Sequence, residues 1–457
     1  MEHEGYRDQP NRSPWIAQLA PDGPPRPLAA DADTDVVIVG AGIAGVATAF
    51  FALRSTAERV LLVERDRVAR GATGRNASQL TTYFERPLTS IAAEFGDKRA
   101  AEAQAVFDGA HELLDLMAAE SGATVRVERF TGHMGMYSLA QVETHLRCQA
   151  VRRAGGAPEE AVMVSEEAPF LAEIAPDLAP FYAVVAQARV RELLEIEDDR
   201  YVAVLSARGG CANAGMLVQQ VLAYLGRTYP DRFGYVDRTH VDRIVAGDDG
   251  VTVEALGHRI AAGRVVLCTN GFVGHEVVDE AGAPVELHPD QRVIGRVAYM
   301  AAFKEASMRP AGSWSYIRNT VIGGTVPYVY VTRRTYDTSD GDVTLTCMGG
   351  PEYPTAPGGW DAELPFPGAM LELMDEQIRP FAQPARPAAA PYDFQWHGLM
   401  GYMDGGVRVI GPHPRHARVL YNLGCNGVGF LPSIAGGDRI ARMLAGERFG
   451  PSVFDPR

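Results

Sequence analysis

No stretch of 18 consecutive apolar residues occurs in this chain, so a membrane-spanning helix is not expected. Cysteine is sparse and scattered. Cys148, Cys211, Cys268, Cys347 and Cys425 form no CxxC pair, which argues against a zinc site and leaves no metal centre to expect. An odd number of cysteines in a large chain fits a reducing compartment. Clustered positive charge is also lacking: the formal net charge is −14, which disfavours nucleic acid or an anionic membrane as the main partner. The first thirty residues carry charges and six prolines but no apolar core segment. They do not read as a signal peptide, and the cytoplasm is the expected location. Internal repeats and low-complexity tracts are absent, and no lysine follows Lys304.

What the chain does have is length and an ordinary globular balance. Its 457 residues are 46% hydrophobic and 22% charged, which points to two or three domains. Residues 1–33 read as an irregular extension in which only Trp15, Ile16 and Leu19 are suited to dock. From Asp35 the pattern sharpens. DVVIVG is a continuous apolar strand, IAGVATAFFALRST an alanine-rich helix and RVLLVE a second buried strand, together one βαβ unit. Periodicity predicts helix over 91–120 and 216–229, strands through 233–270, and a β-rich stretch over 292–350. Residues 351–391 read as a proline-rich loop around one helix, AMLELMDEQI. The chain closes on strand, strand, glycine turn and helix over 393–447.

Two glycine turns bracket almost the whole chain. Gly40, Gly42 and Gly45 form GxGxxG between a strand and a helix, where backbone N–H groups and the helix dipole suit a pyrophosphate. Glu64 ends the next strand, nineteen residues past Gly45, placed to accept the hydroxyls of an adenosine ribose. The sequence then continues not with further βα units but with a small-residue loop carrying Arg75 and Asn76, an arrangement suited to a second, larger ring system. The second turn, LGCNGVGF at 423–430, lies between VLYNL and the amphipathic SIAGGDRIARMLAG.

Four segments, VVIVGAGIAGVATAF…LLVE, GATGRNAS, AGRVVLCTNGF and WHGLMGYMDGGVRVIGPHP…VLYNLGCNGVGF, resemble in order those of the FAD-dependent amino-acid and amine oxidoreductases of the D-amino-acid-oxidase type. This superfamily includes glycine oxidase, sarcosine oxidase and gamma-glutamylputrescine oxidase. The resemblance implies an α/β fold in which a two-lobe FAD-binding Rossmann-type domain (34–90, 196–285 and 392–457) is interleaved with a mainly antiparallel β-sheet substrate domain (91–195 and 286–391). It implies one FAD gripped at both ends. Gly40, Gly42, Gly45, Glu64 and Arg65 would hold the adenosine side, with Thr73, Arg75, Asn76, Ala77 and Ser78 in the wrapping loop. Thr269, Asn270 and Gly271 would lie on a second flavin-contacting strand, and Gly424, Asn426, Gly427, Val428 and Gly429 under the isoalloxazine. Val241, by register, or Val236, by strand pattern, would meet the adenine. Relatives with covalent flavin use a histidine or cysteine where this chain reads GATGRNAS and HGLMGYMD, so noncovalent FAD is expected.

The implied chemistry is oxidation of the C–N bond of an amine or amino acid to an imine, by hydride transfer to flavin N5. Positioning and charge stabilisation are then the protein's main tasks. By the same resemblance Arg333, with Arg334 adjacent, would clamp a substrate carboxylate. Strand alternation lets only one of the two face the pocket, and Tyr330 shares Arg334's face. Tyr330 and His397 complete the catalytic candidates, His397 as a group titrating near neutrality or as a buried packing histidine. Sarcosine-oxidase-like relatives place a lysine in the strand matching VTLTCMGG to assist reaction with dioxygen. None occurs here, so the acceptor is dioxygen or another carrier. A flavin-dependent monooxygenase and a flavin-binding non-catalytic subunit are the alternatives.

Overall fold

The structure, a computed structural model, describes residues 7–318, 328–382 and 392–457. The proline-rich segment 383–391 and the start of TVPYVYVTRR lie outside the described residues. Two mixed sheets organise the chain. The first has a parallel core of Val419–Leu423, His258–Leu267, Ala32–Val39, Val60–Val63 and Phe233–Val236, in that spatial order. Its strands are apolar on both faces: Val36, Val37, Ile38, Val60 and Leu62 are all essentially inaccessible. This is what a parallel sheet covered on both sides requires. The first half of His258–Leu267 also pairs antiparallel with Val251–Ala255, and Val241–Ala246 and Glu276–Asp279 extend that edge.

Helices Ile43–Ser55 and Phe430–Leu444 pack together against this sheet. Gly437 permits the approach, since a Cβ there would stand 2.7 Å from the backbone nitrogen of Thr48. The helices that follow the two glycine turns are therefore in backbone contact, and their N-termini share one cleft. Apolar burial of this kind contributes about 25 cal/mol per Å².

The second sheet runs Phe394–Met403, Val293–Lys304, Gly341–Thr355, Tyr328–Thr338, Gly312–Ile317, Val127–Met136, Ala203–Ala212, Ala161–Ser165 and Ala183–Val185. All neighbours are antiparallel except Gly312–Ile317 with Val127–Met136 and Ala161–Ser165 with Ala183–Val185.

The expected lobe boundaries need correction at three places. Ala203–Ala212 and Phe394–Met403, assigned to the cofactor lobe, pair into the second sheet. The segment 91–120, assigned to the substrate lobe, lies in one core with the helices of the first, through Leu114 and Met117 beside Phe50 and Leu217. Apolar periodicity records that a face is buried, not which neighbour buries it. That segment also divides into Leu88–Phe95, Asp97–Asp108 and Ala110–Ser121, broken at Gly96 and Gly109. Leu139–Ala154, opened by a Ser138–Gln141 capping box, is a helix that the sequence reading passed over.

The N-terminal extension is built in rather than loose. Trp15 is fully buried, and its indole Nε1–H donates to the Asn76 carbonyl at 2.6 Å. The Ser13 hydroxyl donates to the Gly74 carbonyl at 2.5 Å. The extension thus straps the loop 71–78.

Candidate functional site

A cavity opens between the two sheets and is lined by the first glycine turn, the loop 69–77, the turn 268–275, the second glycine turn and one face of the second sheet. At the first turn a Cβ on Gly45 would fall 1.8 Å from the Gly40 carbonyl oxygen, so the close strand–helix packing requires glycine there. Glu64 is fixed at the cavity wall. Its Oε2 accepts from the Ala41 N–H at 2.7 Å and its Oε1 from the Asp66 N–H at 2.9 Å. Burial raises its pKa.

Three orphaned polar atoms test whether a large polar cofactor belongs here. Among the described residues, Nε and Nη1 of Arg75 and Oγ1 of Thr269 are buried without a hydrogen-bond partner, and both residues line the cavity. A buried donor left unpaired costs about 1–3 kcal/mol, so atoms placed like these fit a ligand that satisfies them. Burial lowers the Arg75 pKa to about 10. Its guanidinium lies 5.6 Å from the ring centre of Trp360, which is part of the same wall. The glycine turns, Glu64 and these donors together suit a dinucleotide whose far end carries a hydrogen-bonding ring system.

The structure gathers most of the cofactor candidates at this cavity: Gly40, Gly42, Glu64, Arg65, Thr73, Arg75, Asn76, Ala77, Val241, Thr269, Asn270, Gly271, Gly427, Val428 and Gly429. Of the two valines considered for adenine, Val241 lines it and Val236 does not. Gly45, Ser78, Gly424 and Asn426 stand behind the wall. Ser78 hydrogen-bonds the Ala212 carbonyl, and Asn426 Oδ1 accepts from the Met403 N–H at 2.6 Å.

The substrate candidates separate. Tyr330 lines the cavity, but Arg333 does not. The guanidinium of Arg333 donates to both oxygens of Glu195, at 2.8 and 2.7 Å, and to the Pro310 carbonyl at 2.6 Å. The expectation that it clamps a substrate is corrected by strand alternation. Val329 and Val331, on its face, sit in a core away from the cavity, whereas Tyr328 and Tyr330 face the cavity. Arg334 is held by the Ser78 hydroxyl at 2.6 Å and by the face of Trp15. His397 is 2% exposed and outside the cavity wall. Its Nδ1 accepts from Trp360 Nε1–H at 2.8 Å and its Nε2 contacts the Leu364 carbonyl at 2.9 Å, so it fixes the indole that forms the wall. Burial lowers its pKa and keeps it neutral.

Two groups escaped sequence reading. Arg408 lines the cavity and bonds Asn422 and the Ser433 hydroxyl, and the Asn422 amide reaches the Thr48 hydroxyl, bracing the two glycine helices against each other. At the end of the cavity facing the second sheet, Tyr83, Tyr328, Tyr330, Tyr402 and Glu352 form the wall. Glu352 accepts from Arg296 Nη1 and from the Tyr402 hydroxyl, both at 3.0 Å. Scattered over four segments, these residues carry no common periodicity. Among the described residues there is no cluster able to hold a metal ion and no helix long and apolar enough to cross a membrane.

A family model described as DAO, FAD dependent oxidoreductase, matches residues 35–443. No curated protein matches the chain. Among solved structures, the chain is similar to L-proline dehydrogenase from P. horikoshii, with 17% identity and a TM-score of 0.65 over 91% of this chain and 94% of that one. It is similar to glycine oxidase from Geobacillus kaustophilus, with 17% identity and a TM-score of 0.61 over 93% and 97%. It is similar too to L-α-glycerophosphate oxidase from Mycoplasma pneumoniae with FAD bound, with 13% identity and a TM-score of 0.62 over 90% and 94%. By their names these proteins act on glycine, L-proline and L-α-glycerophosphate, so the shared fold leaves the substrate open.

Proposed function

Because the chain belongs to the DAO family of FAD dependent oxidoreductases, we propose that it oxidises the C–N bond of a small amine or amino acid to an imine. The observation that carries this reading is the chemistry of the inner wall. Four phenols and the carboxylate of Glu352 surround the space next to the second glycine turn, and the guanidinium of Arg296 beside them is held by Glu352. A wall of carboxylate and aromatic faces favours an ammonium group over a phosphate or a carboxylate. FAD, when bound, supplies the acceptor for two electrons. Gly40, Gly42, Glu64, Arg75, Thr269 and Gly427, which line the cavity, would hold it. The walls of tyrosine, Met300 and Leu399 exclude water from the reacting carbon.

Anaerobic bleaching of the flavin tests the reading, with primary and secondary amines, amino acids, N-methyl amino acids, polyamines and glycerol phosphate as candidates. Bleaching by a member of the first five classes is expected. Bleaching by glycerol phosphate alone, or by none, overturns it. Stopped-flow reoxidation of the reduced enzyme in air-saturated buffer then separates dioxygen from another acceptor.

A further inference from the structure

Behind the phenols lies a further carboxylate, that of Glu85. Glu85 accepts a hydrogen bond from the Tyr328 hydroxyl at 2.6 Å and one from the Tyr83 hydroxyl at 3.4 Å. Both tyrosines line the cavity. The same carboxylate abuts the second glycine turn, since a Cβ placed on Gly427 would lie 2.8 Å from Glu85 Oε1. Among the described residues no Arg, Lys or His forms an ion pair with Glu85, which is half-buried. Burial of a carboxylate without a cationic partner is costly, and a ligand cation removes the cost.

The groups that face Glu85 define what it can do. Tyr83, Tyr328, Tyr330 and Tyr402 surround it, Glu352 adds a second negative charge, and Arg296 adds a positive charge. Burial, reinforced by Glu352, pushes its pKa up to about 7, while the two phenol hydrogen bonds and Arg296 pull the other way. Burial raises the pKa values of Tyr83 and Tyr328 well above the usual phenol value, so both stay protonated and serve as donors.

We propose that Glu85, reached through the phenol of Tyr328, draws the substrate's ammonium group to the inner wall and receives its proton. The inference rests on the reading of the protein as an amine oxidoreductase. The step is a proton transfer alone. An N–H bond of the ammonium breaks, Tyr328 accepts that proton and passes its own to Glu85, and a neutral amine remains with its nitrogen lone pair free. Oxidation of a C–N bond requires that neutral form. Glu85 accepts only when ionised, so the reaction should gain speed as pH rises through 7.

The test compares the wild-type holoenzyme with Glu85→Gln, which keeps the shape and still accepts from Tyr328, and with Glu85→Asp. With the best-bleaching amine, the wild-type rate of anaerobic flavin reduction should climb through pH 7 to a plateau. In E85Q the rate at pH 8 should fall about 10²-fold. The profile should then follow the amine's own ionisation at higher pH, while E85D recovers a step near pH 7. Identical profiles for wild type and E85Q overturn the assignment and leave the proposed function standing.

If no amine bleaches the flavin, the proposed function falls, and binding decides the Glu85 assignment separately. Benzylamine should perturb the wild-type flavin spectrum more strongly above pH 7 than below it. It should do so without pH dependence in E85Q, and benzoate should bind to neither. A wild-type perturbation that ignores pH overturns the assignment. Flavin content in all three proteins shows whether a variant has folded.

Discussion

Arg333 illustrates how a side chain's neighbours outweigh its type. Glu195 holds the guanidinium with two hydrogen bonds, and the ring of Trp314 lies 4.6 Å from it. A charge in this setting stabilises the fold and is not available to a ligand. Arg333→Met should therefore lower the melting temperature. The loss corresponds to about 1–3 kcal/mol, a modest figure because the Glu195 side chain is 38% exposed and solvent screens the pair. Its KM for the bleaching substrate should stay within about twofold of wild type, because a group outside the pocket makes no bound contact to lose. Steady-state kinetics beside a thermal melt checks both. A KM raised a hundredfold with an unchanged melt would return Arg333 to the substrate site.

At the scale of elements, the strap of residues 7–19 stands out. It crosses the loop 71–78 on the side away from the cavity, with Trp15 packed edge-on against Tyr336 and Trp396. The Asn213 amide ties the Trp15 carbonyl to the start of the helix Ala214–Thr228. Arg75 and Asn76, on the cavity side of the same loop, are thus positioned by the extension. Trp15→Ala removes a fully buried indole and should cost about 3–5 kcal/mol. It should also loosen the flavin, so that flavin fluorescence appears at a lower temperature than in wild type. Release and unfolding at unchanged temperatures would show that the strap is incidental.

At the scale of the whole molecule, the cavity exists because two distant glycine turns meet. Gly437 against Thr48 and Arg408 against Asn422 and Ser433 hold them together. Cys268 and Cys425 line the same cavity. Burial pushes the Cys268 thiol up to about 12 and raises that of Cys425, so neither is an ionised nucleophile. The FAD is accordingly expected to be held without a covalent bond. Acid precipitation should leave all yellow colour in the supernatant, and a yellow pellet would show a covalent link.

The sequence by itself determined the βα unit around Gly40, Gly42 and Gly45, the place of Glu64 and the second turn at 424–429. Each is written in contiguous residues whose local conformation follows from glycine, apolar runs and strand–turn–helix order. Only the tertiary structure decided which face of Tyr328–Thr338 looks into the cavity, which took Arg333 out of it. Tertiary contacts alone also assembled Tyr83, Tyr328, Glu352 and Tyr402 on one wall, with Glu85 behind it. The reason is physical: pairing across sheets and the burial of a charge are set by neighbours hundreds of residues away, and no periodicity along the chain records them.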